Sequence, residues 1–363
     1  MSPRPLVSVV IDTYNHERYI ETAIQSVLDQ ELAESDKEVI VVDDGSTDRS
    51  PDLVRRFGTR VRYLRKPNGG QASAFNEGIR VARGAVVAFL DGDDWWSTGK
   101  LTAVLGALES NPDVGIVGHG FFYADDQGRL SQVIVPRSES RIHLCVPGGG
   151  IRFSQLKAFF GTSRLTVRRE VLQRVLPVPQ ELWIEADEFI FTSALAITDG
   201  LVIDRPLVHY RLHGGNLFHF DGPDLVRLQR KSKVLTALVR ALPPRLAELG
   251  VGPSVIWEVM APLRVDATRL ELALYGGKRR QTVKVERAAM SLMDDRLGLG
   301  YRIFKALVLS LAAVTPPRTF YRLRQSYARA GFGKVRYFLG ARTRPVSVIE
   351  CRRLVAGRKS ANG

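Results

Sequence analysis

The chain has 363 residues, 45% of them hydrophobic and 25% charged, and its 52 Lys and Arg against 38 Asp and Glu give a net charge of +14. That length admits two domains or one large domain with an appendage, and the composition excludes a disordered or fibrous chain. The two cysteines, Cys145 and Cys351, lie far apart without CxxC spacing; this excludes a cysteine-built zinc site and a disulfide framework and fits a reducing cytoplasm.

Met1-Ser-Pro-Arg-Pro leads directly into a strand pattern, so no secretory leader is expected. Val7–Ile11 reads as the first strand, ending at Asp12-Thr13-Tyr14-Asn15. Residues 17–30 follow with Ile20, Ala23, Ile24, Val27 and Leu28 on one helical stripe. Residues 37–42 form a second strand that ends in Asp43-Asp44-Gly45-Ser46-Thr47-Asp48, where Ser46 or Thr47 can cap the next helix. A short third strand is expected over 61–64, a Pro67-Asn68-Gly69-Gly70 loop after it, and a helix over 71–83. Alternation of strand and helix signals predicts an α/β fold with a mostly parallel sheet, whose carboxyl edge is the place where such sheets bind ligands.

Residues 86–90 then read as a buried strand, and they run straight into Asp91-Gly92-Asp93-Asp94-Trp95-Trp96. Clustered carboxylates at a strand end disfavour one another's ionisation, a conflict that a divalent cation removes. Oxygen ligands suit Mg²⁺ or Mn²⁺, and a cation held by few carboxylates keeps positions open for a diphosphate. An acidic surface turn is the plain alternative. Trp95 and Trp96 read equally as packing residues or as a sugar-stacking platform. Beyond Pro112, strands are expected near 115–117, 165–167 and 201–203 and a helix over 187–196, and from about Asp221 helical periodicity dominates.

Five segments in order, Val7–Asn15, Val41–Asp48, Asn68–Gly78, Phe89–Asp94 and His209–Asn216, together resemble the family 2 glycosyltransferases of the GT-A fold. The resemblance covers roughly residues 5–220 and implies a GT-A catalytic domain over 1–220, with a nucleotide-sugar half at about 1–115 and an acceptor half at about 116–220. It implies donor contacts from Thr13, Tyr14, Asn15 and Glu17, from Asp43 or Asp44 to a base N–H, and from Gly70 and Gln71, where glycine lets backbone approach the sugar nucleotide. Asp91 would hold the ribose, Gly92 and Asp93 would meet the diphosphate, and Asp93 with His213 and Asp91 would hold Mn²⁺ or Mg²⁺. Asp94 would support that set or face the acceptor. Arg211 would pair with phosphate or with a structural acid. Where relatives often carry Arg, this chain has Phe75, so a phosphate contact from that position is lost; Asn76 reads as a packing or capping residue.

The catalytic base is implied at Asp187, within Glu185-Ala186-Asp187-Glu188, with Ala186 where Glu is common. It would take the proton of an acceptor hydroxyl attacking the anomeric carbon, and a single in-line displacement inverts that centre. Glu185 and Glu188 are rivals, because an acid at a helix start also stabilises the dipole.

Residues 221–363 hold 28 Lys and Arg with 10 Asp and Glu, and 301–363 alone hold 14 with one acid. The apolar run over 306–314 stops at Pro316-Pro317, well short of the roughly 20 residues needed to span a bilayer. Arg318, Tyr321, Arg322, Arg324, Tyr327 and Arg329 interleave basic and aromatic groups, as a segment lying in a membrane interface does. A helical region packed on the catalytic unit with its arginines solvated is the alternative.

Together these readings predict a metal-dependent glycosyltransferase that uses a pyrimidine nucleotide-sugar donor, UDP or dTDP, and a glycan, glycolipid or small-molecule acceptor. It would be cytoplasmic, with an anionic membrane surface as a further partner and no nucleic acid. Two rivals stand beside it. One is a non-catalytic nucleotide- or glycan-binding protein on the same fold, kept open by Phe75 and Ala186. The other is a sugar nucleotidyltransferase, disfavoured because Asp12-Thr-Tyr-Asn-His-Glu stands where a Gly-rich basic loop would follow strand one.

Overall fold

A computed structural model describes residues 5–216, 225–292 and 299–329, and their side chains except over 299–302 and 325–329. Ten strands, β1 (Val7–Thr13), β2 (Lys37–Asp43), β3 (Arg62–Arg65), β4 (Val86–Asp91), β5 (Trp95–Trp96), β6 (Val114–Ala124), β7 (Leu130–Ile134), β8 (Ser140–Ile142), β9 (Thr166–Arg168) and β10 (Asp199–Arg211), form one sheet. Its order is β3-β2-β1-β4-β9-β6-β10-β5, with β7 on β6 and β8 on β10. β3, β2, β1 and β4 are parallel, β9 runs antiparallel between β4 and β6, and β6 and β10 are parallel again. The order reverses on either side of β1, so the carboxyl ends of β1, β2 and β4 open on one crevice.

Helices α1 (Ile20–Leu28), α2 (Ser50–Arg55), α3 (Gly70–Val81), α4 (Lys100–Ser110), α5 (Gly149–Leu156), α6 (Arg169–Val175) and α7 (Ala186–Leu195) accompany the sheet. Alternation along β1 sorts them into layers. Val9 and Ile11 pack with Ile24 and Leu101 on one face, while Val10 packs with Phe75, Phe89 and Phe189 on the other. Phe75 is wholly buried against Phe89, ring centroids 5.0 Å apart, and Asn76 caps Val178 through hydrogen bonds at 2.8 and 2.9 Å.

Two strands are much longer than the sequence suggested: β6 against an expected 115–117, and β10 against 201–203. Gly118 and Gly120 look like strand breakers within β6. Here they admit neighbouring chain, since a Cβ would lie 2.5 Å from Phe159 O at the first and 2.7 Å from Ile134 O at the second. Helix α1 begins only at Ile20, because residues before it form a turn closed by Tyr19 N and Ile20 N donating to His16 O.

The described residues beyond Asp224 are helical: α8 (Leu225–Glu248), α9 (Pro253–Tyr275), α10 (Arg279–Ser291), α11 (Leu299–Val314) and α12 (Pro317–Arg329). Leu235, Leu238, Met260 and Leu263 carry α8 and α9 into the core face shared with α7. Leu272, Ala312, Phe320 and Tyr321 form a smaller cluster around the last helices. Beside it, buried Glu286 accepts from Arg269 at 2.9 and 2.8 Å, from Arg324 at 2.9 Å and from the Tyr321 hydroxyl at 3.3 Å. Tyr321 and Arg324, expected at a basic outer face, are thus part of the interior. The side chains of Tyr327 and Arg329, the rest of the basic tail and the expected boundary near 220 lie outside the described residues. No described helix is long and apolar enough to cross a membrane.

Candidate active site

Register places Asp12 at the end of β1 beside Asp91 at the end of β4. The chain then turns sharply at Gly92, where a Cβ would lie 2.9 Å from both Thr13 Oγ1 and His16 Nδ1. That turn brings Asp93 and Asp94 back onto the same spot, so one carboxylate oxygen each of Asp91, Asp93 and Asp94 lie within 4.8 Å of one another. Asp94 is spoken for, accepting from Ser163 Oγ at 2.6 Å and Arg211 N at 2.9 Å. Asp91 accepts only a 3.2 Å bond from Gln71 Nε2 and a 3.4 Å bond from Ser163 Oγ. Asp12 Oδ1 is buried with no hydrogen-bond partner.

The electrostatics follow from this crowding. Burial, then repulsion from Asp93, pushes Asp12 and Asp94 each up to about 8. Burial, then Asp12 and Asp93, holds Asp91 well above the carboxylate range. Asp93 moves the other way: burial would raise it, but His16 at 4.0 Å and a 2.9 Å hydrogen bond from His213 outweigh burial. The site thus holds one stable anion among acids that compete for protons. A hard divalent cation satisfies both the orphaned Asp12 oxygen and the under-bonded Asp91, so the residues fit such an ion. His213 Nδ1 accepts from Gly215 N at 3.1 Å, which leaves the proton on Nε2, where it donates to Asp93.

A cleft of about 1930 Å³ opens over this centre, lined by Asp12, Asp91, Asp93, Asp94 and His213 on its floor. Thr13, Tyr14, Asn15, Asp44, Gly70 and Gln71 also line it, with Tyr14 well exposed. Asn15, at φ 58°, accepts from Thr47 N at 2.7 Å and so joins the β1 and β2 loops. Four residues implied as donor contacts do not line the cleft. Asp43 accepts from Ser46 N at 2.7 Å and Tyr63 Oη at 2.6 Å, and Glu17 accepts from Arg49 N at 3.1 Å. Gly92 supplies the turn. Arg211 donates to the carbonyls of Asp93 and Asp126 and lies over Tyr19 and Trp95, the structural option for its charge.

Gly70 has φ +80°, and a Cβ would lie 2.7 Å from Trp183 Cα, so this glycine also admits the 183 segment. Asp44 holds that loop by accepting from Gly69 N and Gly70 N at 2.9 and 2.7 Å and from Lys66. Trp96 is buried, its indole N–H donating to Ser163 O, and Trp95 stacks on His209 with centroids 4.7 Å apart.

Gln71 joins the two ends of the site. Its Nε2 donates to Asp91 and, at 3.2 Å, to Thr162 Oγ1; its Oε1 accepts from Ala186 N at 3.0 Å. Thr162 donates to Asp187 from N at 2.7 Å and Oγ1 at 3.1 Å. Burial raises Asp187 against those bonds. Glu188 is paired with Lys157 at 2.7 Å, and burial, then Asp187 and Glu188, holds Glu185 well above its ordinary range. All three acids line the cleft.

Sequence reasoning passed over Asp12, His16, Thr162, Ser163 and Trp183. Asp12 stands inside a motif, at the head of the polar segment that ends the first strand, and carries no role in that reading. Thr162 and Ser163 had no signal, because their partners are 25 to 91 residues away in sequence.

Comparison with known proteins agrees with this geometry. Residues 8–176 match the profile described as Glycosyl transferase family 2. The chain is 34% identical over 217 residues to the uncharacterized glycosyltransferase alr2836 of Nostoc sp., covering 58% of this chain and 66% of that protein. It is 41% identical over 224 residues to the uncharacterized glycosyltransferase EpsJ of Bacillus subtilis, covering 59% of this chain and 63% of that one. Each match thus spans just under two thirds of the relative. Among solved structures, S. aureus TarS 1–349 in complex with UDP is similar at a TM-score of 0.50 and 17% identity, over 89% of this chain and 91% of that one; this likeness is one of fold, the GT-A arrangement.

Proposed function

From the match of residues 8–176 to the Glycosyl transferase family 2 profile, we propose that the chain transfers a sugar from a nucleotide diphosphate to an acceptor hydroxyl with inversion. The observation that carries the reading is the pair of acidic groups bridged by Gln71, the Asp12–Asp91–Asp93 cluster on one side and Asp187 on the other. UDP or dTDP is the favoured donor nucleotide; the UDP complex of TarS supports that choice.

Asp93 and Asp91, with Asp12 beside them, would hold Mg²⁺ or Mn²⁺. Such a cation would neutralise charge on the departing diphosphate as a Lewis acid. His213 and His16 keep Asp93 ionised for that role. Thr13, Tyr14, Asn15 and Asp44 wall the nucleotide. Asp187, on the cleft wall and raised by burial, takes the acceptor proton, and Thr162 fixes its second oxygen. Glu188, ion-paired with Lys157, and Glu185, whose carboxyl burial and then Asp187 and Glu188 hold well above its ordinary range, are the weaker candidates. The acceptor enters along the cleft toward α8 and α9, past Lys231 and Asp266.

Release of nucleoside diphosphate from UDP- and dTDP-sugars, with Mg²⁺ or Mn²⁺ and a glycan acceptor, tests this reading. Asp187→Asn is expected to lower turnover by about 10²–10⁴-fold with donor binding unchanged. Unimpaired turnover in that variant would remove Asp187 as the base. Nucleotide binding by the unaltered chain without turnover on any donor would favour the non-catalytic rival.

A further inference from the structure

Helix α11 presents its polarity the wrong way round for a helix facing water. Between Ile303 and Val314 its one charged residue is Lys305, which is buried and lies close enough to Glu286 to help hold that carboxyl low. Ile303, Leu307, Leu311 and Val314 point outward instead, with Leu307 64% and Val314 67% exposed. Their spacing is that of a single helical face, and the exposed positions between them are alanine and serine. Water-soluble helices turn such a stripe toward the core, and apolar patches left outside mark an interaction surface.

Cations gather at one end of the stripe. The Gly276 turn adjoins Arg318, since a Cβ there would lie 3.5 Å from its Nε, so exposed Lys278, Arg279 and Arg280 share that end with Arg318 and Arg322. No acidic residue occurs between Asp295 and Glu350.

We propose that the outward face of α11, together with these cations, docks on a bilayer surface containing anionic phospholipid. The two alternative occupants carry the wrong charge. A second copy packed face to face would meet these cations with its own cations if parallel and with its apolar stripe if antiparallel, and α11 and α12 supply no acid in either case. Residues 330–363, with eight Lys and Arg to one acid, have the same sign as the patch. An interface that is apolar inside and negative at its surface answers both features, and a helix of this type lies in its plane with the apolar face about 5–10 Å deep. Neither the outward residues of α11 nor the cations at its end line the cleft, so donor binding does not depend on them.

The test is co-sedimentation of the full chain with vesicles of phosphatidylcholine alone and of phosphatidylcholine mixed with phosphatidylglycerol. Binding to the mixed vesicles only, weakened by raised salt, is expected. The double variant Leu307→Asp, Leu311→Asp should bind about a hundredfold more weakly. Arg318→Glu should lower binding by about tenfold. Both variants should keep the thermal midpoint and the nucleotide-induced shift of the unaltered chain, which separates loss of docking from loss of fold or of the donor site. Failure of the unaltered chain to sediment with mixed vesicles, or undiminished sedimentation of the double variant, would overturn the proposal. A dimer of the unaltered chain that the leucine variants dissociate would also overturn it, by assigning the face to a second copy.

Discussion

At the sheet edge Asp12, Asp91, Asp93 and Asp94 crowd one spot, and among the described residues no lysine or arginine side chain bonds to any of their carboxylates. In the helical region Glu286 sits equally deep, yet Arg269, Arg324 and Tyr321 bond to it and Lys305 lies close by. Both are buried charge. The helical acid has its counter-ions built in and serves to tie α9, α10 and α12 together. The strand-end acids have none among the described residues, and on the proposed reading a cation from solution would complete them. On that reading, compensation separates structural from functional buried charge more clearly than burial does.

Breaking the compensated site should have the larger effect on stability. Glu286→Gln leaves Arg269 and Arg324 buried without their carboxylate and is expected to cost about 3–5 kcal/mol in chemical denaturation. The same variant should keep nucleotide binding at temperatures where it remains folded.

The two regions should also respond to pH in opposite directions. Glu286 has its carboxyl held below the ordinary 4.5, so its contribution is present at neutral pH and is lost as pH falls through the folded value. Asp12 and Asp94, raised from 3.8 to about 8, bind more protons folded than unfolded between those limits. Without metal, stability should therefore fall as pH rises across that window, by up to about 1.4 kcal/mol per pH unit for each group. Denaturation midpoints across this range, with and without Mg²⁺, check the slope, which added cation should flatten. Asp12→Asn removes one of the two groups and should make the metal-free slope shallower, raising stability at the upper end of that window.

Much of the catalytic half was legible because its chemistry sits in contiguous motifs at strand ends. Asp91, Asp93 and His213 fell within such segments and Asp187 within an acidic run at a helix start, and the cleft brings them together. Asp12 was masked by its strand, whose hydrophobic run made its last residue look like a boundary. Thr162 and Ser163 act on acids brought close only by the folded chain, and no local pattern marks them. Gly118, Gly120 and Gly70 each make room for another segment of backbone, and sequence does not name the segment. In the helical half the 306–314 run read equally as core or interface. Only the inward turn of Lys305 distinguishes the two.

The most direct test of the compensation account is a thermal-shift panel of UDP, dTDP, GDP and CDP, each with and without Mn²⁺, on the unaltered chain and on Asp93→Asn. A ligand present at about 100 times its Kd stabilises the folded state by about 2.7 kcal/mol. The account predicts a metal-dependent shift for UDP or dTDP that disappears in Asp93→Asn. A shift of equal size without metal, or one that survives in Asp93→Asn, would show that the strand-end acids are not completed by a cation and would contradict the account.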